Sequence, residues 1–107
     1  MKQWLFVVRP TRADMLTSGP SDAEASSVGK HFAYWQRLVA DEVALVVGRT
    51  QTTGPDTMGL AIFRAETEEE ASKIAAENPA VIDGVFSMSL HPYFVAILGS
   101  PEPFRPA

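Results

Sequence analysis

Val43-Ala44-Leu45-Val46-Val47-Gly48, followed beyond Gly54-Pro55-Asp56 by Met58-Gly59-Leu60-Ala61-Ile62-Phe63-Arg64-Ala65, places two short apolar runs back to back in the middle of the chain. Each is rich in residues that suit a pleated surface, and the Gly-Pro-Asp step turns the chain between them, so a long-looped hairpin is expected. Working outward, both flanks are helical. Upstream, Ser21-Asp22-Ala23-Glu24 has capping-box spacing, and Val28, Phe32, Trp35 and Val39 recur at four, three and four on one stripe of a helix running to about Asp41. Downstream, Thr67-Glu68-Glu69-Glu70 repeats the capping pattern, Ala71, Ile74 and Ala75 form an inner face, and Pro79 stops the helix near Asn78. Ala80 to Asp83 can add one further turn closed by Gly84.

The outermost elements are strands. Trp4-Leu5-Phe6-Val7-Val8 is a β-rich run ended by Arg9-Pro10, and Val85 to Leu98 is expected as a long strand interrupted or bulged at Pro92. The stretches Pro10 to Pro20 and Gly48 to Gly59 are expected as loops. The order is thus β-α-β-β-α-β, an α+β, ferredoxin-like arrangement with a four-stranded, mainly antiparallel sheet and two helices on one face. Strands one to three lack the apolar/polar alternation of a sheet with one wet face. A second copy packed sheet to sheet would cover the bare face, which predicts a homodimer or a higher oligomer.

Composition narrows the chemistry. With 107 residues, one domain is expected over 1–99, followed by a Pro-rich C-terminal arm over 100–107 holding Pro101, Pro103 and Pro106. The net charge of −4 and the lack of a basic run disfavour nucleic acid and anionic membranes as partners. The absence of cysteine rules out disulfides, thiol catalysis and Cys-ligated metals. Met1-Lys2-Gln3 and five apolar residues are too short for a signal-peptide core or a membrane span, so a cytoplasmic protein is expected.

Two histidines, His31 and His91, carry the side chains that titrate near neutrality. His31 falls roughly 70–80° from the centre of the first long helix's stripe, where it can act as a general acid/base in a cleft or simply hydrogen-bond a neighbouring loop. On the last strand, Ser87, Ser89 and His91 alternate with Phe86, Met88 and Leu90 and so share one face. That polar stripe either positions a small ligand or faces solvent. Arg9 and Arg12 flank the loop after the first strand, as an anion clamp or as ordinary surface arginines. Trp35 and Tyr34 wall a cleft or belong to the core, and the acidic run Glu66 to Glu70 fits a solvated helix start better than a metal site. No metal-ligand spacing is present, and neither a metal nor a cofactor is expected.

Strand one ending in Arg9-Pro10, His31-Phe32-Ala33-Tyr34-Trp35, Val47-Gly48, Gly59-Leu60-Ala61-Ile62-Phe63, Glu68-Glu69-Glu70-Ala71, Asn78-Pro79-Ala80-Val81, Gly84-Val85-Phe86 and His91-Pro92 together resemble the YCII-related (YciI-like) family. The similarity runs over about residues 3 to 98. It implies the dimeric α+β barrel superfamily, in which two ferredoxin-like sheets pack into one barrel and each half carries a cleft. It also implies an acid/base dyad of a helix histidine and an aspartate in an Asp-Pro step. His31 matches the histidine, whereas Asn78 stands where the aspartate is expected. The implied activity is cofactor-independent lyase or isomerase chemistry on a small cyclic or aromatic substrate. His31 would be general acid/base, Asn78 its orienting partner, and His91, Ser87, Ser89 and Arg9 would position the substrate. The alternative is a non-catalytic dimer that binds a small molecule or serves as an accessory subunit.

Overall fold

The computed structural model describes residues 2–106. The strands are β1 (Lys2–Pro10), β2 (Ala44–Arg49), β3 (Gly59–Ala65) and β4 (Phe86–Tyr93), and the helices are α1 (Met15–Ser18), α2 (Asp22–Ala40), α3 (Glu68–Ala76) and α4 (Pro79–Ile82). The sheet order is β2-β3-β1-β4, and all three pairings are antiparallel. The central hairpin of the sequence is β2–β3, and its insertion between β1 and the second helical segment produces this order.

Local signals account for most boundaries. Ser21 Oγ accepts from Glu24 N–H at 3.1 Å while Glu24 Oε1 accepts from Ser21 N–H at 2.8 Å, a complete capping box at the start of α2. Thr67 caps α3 through Glu70 N–H, but Glu70 Oε2 accepts from Glu66 N–H, so that box is only half formed. Gly84, at φ +73°, ends the Pro79–Ile82 turn in the left-handed region.

Three expectations change. The stretch expected as a loop after β1 contains the single turn α1, which buries Met15. The last strand stops at Tyr93, which pairs with Gln3, instead of Leu98, and beyond it Val95 N–H donates to the Gln3 side chain at 3.3 Å instead of continuing the ladder. Pro92 is tolerated there because β4 is an edge strand. The buried face of α2 is also rotated from the apolar stripe: Ser27, Tyr34 and Trp35 are buried, while Phe32 is 60% exposed and Val39 46%.

The core lies between the helices and one face of the sheet. Trp4, Phe6 and Val8 of β1 and Ala61, Phe63 and Ala65 of β3 meet Trp35 of α2 and Ala71 and Ala75 of α3. Trp35 is wedged between Phe6 and Phe63, with ring centroids 5.2 and 5.8 Å away, and Tyr34 donates its hydroxyl to Ile74 O at 2.7 Å. Both aromatics therefore serve the core. The alternate residues, Leu5 and Val7 of β1, Leu60 and Ile62 of β3, and Val46 of β2, point to the face without helices. Over residues 94–100 the chain has no regular secondary structure, a short 3-10 turn follows at Glu102–Phe104, and Phe94, Ile97 and Phe104 are exposed.

Candidate active site

A cavity of about 550 Å³ opens on the helix side of the sheet, between α2, the turn α1 and the β2–β3 end of the sheet. Val8 and Gly59 contribute to it from the strands, Val28, His31 and Phe32 from α2, and Phe86 from β4. This explains the rotated stripe on α2: Val28 and Phe32 are apolar because they wall a cavity, not because they enter the core. Gly59 matters here, since a Cβ on it would come within 3.1 Å of Val8 Cγ2.

His31 is the titratable imidazole in this wall. Its Nδ1 lies 3.0 Å from Asn78 Oδ1, across 47 residues of sequence. The same oxygen accepts from Ala80 N–H at 3.0 Å, where Asn78 caps α4. A backbone N–H can only donate, so the atom facing it is the carboxamide oxygen and the amide orientation is fixed. Nδ1 must then carry the proton, and Nε2 is left with its lone pair. Asn78 is fully buried, and its Nδ2 has no hydrogen-bond partner among the described residues. Burial pushes the His31 pKa below 6.5, and the hydrogen bond to Asn78 opposes this only in part. The Phe86 ring meets the imidazole edge-on at 5.1 Å. His31 is thus an oriented imidazole whose burial favours the neutral form.

The other residues singled out from sequence stand elsewhere. Ser87, Ser89 and His91 do share one face of β4, opposite Arg9, Val7 and Leu5 in the register, but it is the face without helices. There His91 Nε2 lies 3.0 Å from Ser89 Oγ. Arg9 extends to Met58 Sδ at 3.7 Å and does not border the cavity. The chain therefore unites His31 with Asn78 and keeps both apart from His91, Ser87, Ser89 and Arg9. Arg12 is structural, because it holds Glu24 through two hydrogen bonds of 3.0 and 2.7 Å and Asp14 at 2.8 Å. Those bonds depress the Glu24 carboxyl to about 2 and tie the turn α1 to the start of α2. Sequence reasoning passed over Arg49 and Thr52, Thr53 and Thr57, which line the cavity from the end of β2 and the segment after it. One polar side chain at the end of a strand and three in the loop after it carry no periodic signal.

Among the described residues no three His, Asp or Glu side chains group to hold a metal ion, and no helix is long and apolar enough to cross a membrane.

The model of the YCII-related domain matches residues 4–90. The chain belongs to the YCII-related domain family. No curated protein matches. A similar solved structure is 5-chloro-2-hydroxyhydroquinone dehydrochlorinase (TftG) from Burkholderia phenoliruptrix AC1100 in complex with 2,5-dihydroxybenzoquinone, which is 22% identical with a TM-score of 0.60. The alignment covers 85% of this chain and 93% of that one. The two share their fold, an α+β arrangement in which the helices of this chain pack on one face of its antiparallel sheet.

Proposed function

We propose that this YCII-related domain is a cofactor-independent lyase- or isomerase-type enzyme in which His31 moves a proton on a small cyclic or aromatic substrate. The observation that carries the reading is the tautomer: Asn78 Oδ1 is pinned by Ala80 N–H, so His31 presents an unprotonated Nε2 as a base at the cavity wall. Nε2 takes a proton from a substrate carbon or hydroxyl, and the electron pair moves into the ring system. The proton is then returned at another position, or the pair expels a leaving group. The imidazolium that forms is oriented by the Asn78 dipole, a weaker stabiliser than a carboxylate. A neutral base with a lowered pKa nevertheless suits proton abstraction near neutral pH. The ligand of the similar dehydrochlorinase, a dihydroxybenzoquinone, is of the substrate class proposed here.

The working unit is proposed to be a homodimer formed through the open sheet face, where Leu5, Val7, Leu60 and Ile62 would pack against a second copy. Ser87, Ser89, His91 and Arg9 belong to that face and would serve a ligand that reaches it. The proposed location is the cytoplasm. Lactones and hydroxylated aromatics, screened with wild type and His31→Ala, test the catalytic role: turnover should vanish in the variant, and equal rates would overturn it.

A second reading is favoured by one residue. With Asn78 in place of a carboxylate, the cavity can bind a small molecule without proton transfer. Turnover assays separate the two: a catalytic cavity converts the ligand it binds and loses that conversion in His31→Ala, whereas binding without conversion in wild type supports the second reading.

A further inference from the structure

The cavity's charge is opposite to that of the chain. The protein carries 13 acidic and 9 basic residues, yet no aspartate or glutamate lines the cavity, whose one permanently charged lining group is the Arg49 guanidinium. Arg49 pairs with Gly59 across the β2–β3 ladder, on the same face as Val47 and Ala61, which directs it to the helix side where the cavity lies. It is also uncommitted. Arg12 is taken by Glu24 and Asp14, Arg105 by Glu102, and Arg64 by Glu42 O, whereas Arg49 makes a single 3.4 Å contact to the neighbouring Thr50 O. Arg49 has no carboxylate partner among the described residues.

The segment after Arg49 is built to stay in place. Thr50 Oγ1 lies 3.0 Å from Thr52 Oγ1, which lies 3.0 Å from Thr57 Oγ1. Thr57 donates to Thr52 O at 2.7 Å, and Met58 N–H donates to Thr50 Oγ1 at 3.0 Å. This chain of hydroxyls holds Thr53, whose own hydroxyl has no partner among the described residues, in the cavity lining beside Arg49. Apart from His31, Thr52 and Thr57, the rest of the wall is apolar, and Val28, Phe32 and Phe86 offer a surface for a ring.

We infer that the cavity selects an anionic ring compound, with the carboxylate or ionised phenolic oxygen held by Arg49 and the Thr53 hydroxyl and the ring against Phe32 and Phe86. The inference rests on the catalytic-cavity reading and names its substrate class: an aromatic or cyclic acid. A planar guanidinium is the side chain suited to such an oxyanion. The pairing also serves proton abstraction, since negative charge developing on the substrate grows next to a fixed positive charge.

The test compares 2-naphthoate with its neutral isostere 2-naphthamide, by calorimetry and by amide chemical shifts at neutral pH. Wild type should bind the naphthoate at least about tenfold more tightly, with shifts in residues 49–57. Arg49→Gln should abolish that preference, weakening naphthoate far more than naphthamide, and Arg49→Lys should keep part of it. His31→Ala should retain the preference in full, which separates this inference from the catalytic role of His31. Equal affinities in wild type, a preference that survives Arg49→Gln, or shifts confined to the open face around Ser89 and His91 would each overturn it, whatever the screen for turnover gives.

Discussion

Asn78 does two things with one oxygen, and each predicts a measurement. It caps α4 through Ala80 N–H and fixes the His31 tautomer, so Asn78→Ala removes both partners from a fully buried site. A loss of about 2–4 kcal/mol in urea denaturation is expected. Asn78→Asp replaces a dipole by a charge, and the His31 pKa should rise, read by NMR titration of the ring. In wild type the sign runs the other way. Because burial lowers the folded pKa of His31 below 6.5, the unfolded chain takes up the proton first as pH falls. The contribution of a neutral His31 is complete above 6.5 and is lost as pH drops below that towards the folded value. Urea midpoints should therefore fall more steeply below pH 6.5 in wild type than in His31→Gln.

At the scale of elements, what could be read from sequence is what local chemistry decides. Ser21-Asp22-Ala23-Glu24 forms its capping box, Gly84 closes its turn at φ +73°, and the β2–β3 hairpin lies where Gly54-Pro55-Asp56 turns the chain. Gly84→Ala should cost about 1 kcal/mol, seen as a lower urea midpoint with an unchanged slope, because an L side chain is strained at that backbone angle. What sequence did not show depends on distant partners. The extent of β4 depends on its pairing with β1, a strand at the far end of the chain, through contacts such as Gln3 with Tyr93. The apolar residues Val28 and Phe32 look like core on a helical wheel, and only the cavity beside them separates the two meanings. The His31–Asn78 pair spans 47 residues and is legible only through family resemblance. Arg49 follows a glycine at the end of a strand, where no periodicity marks it.

For the whole molecule, the sheet has one face in the core and one without helices, and the proposed homodimer would form through the second. If Leu5, Val7, Leu60 and Ile62 are an interface, light scattering should give twice the chain's 11.6 kDa, and Leu60→Glu should return the single-chain mass with the fold intact by circular dichroism. A single-chain mass for wild type would remove the homodimer from the reading. The core on the other face has an optical consequence. Its two tryptophans, Trp4 and Trp35, are the only ones in the chain and are 4% and 1% exposed, so their emission should be blue-shifted and collapse to that of free indole on unfolding. Trp35 follows His31 by one turn of α2. A protonated imidazole quenches indole fluorescence, so the protein carries its own label: a pH titration of emission, compared with His31→Gln, would report the state of the base without any added probe.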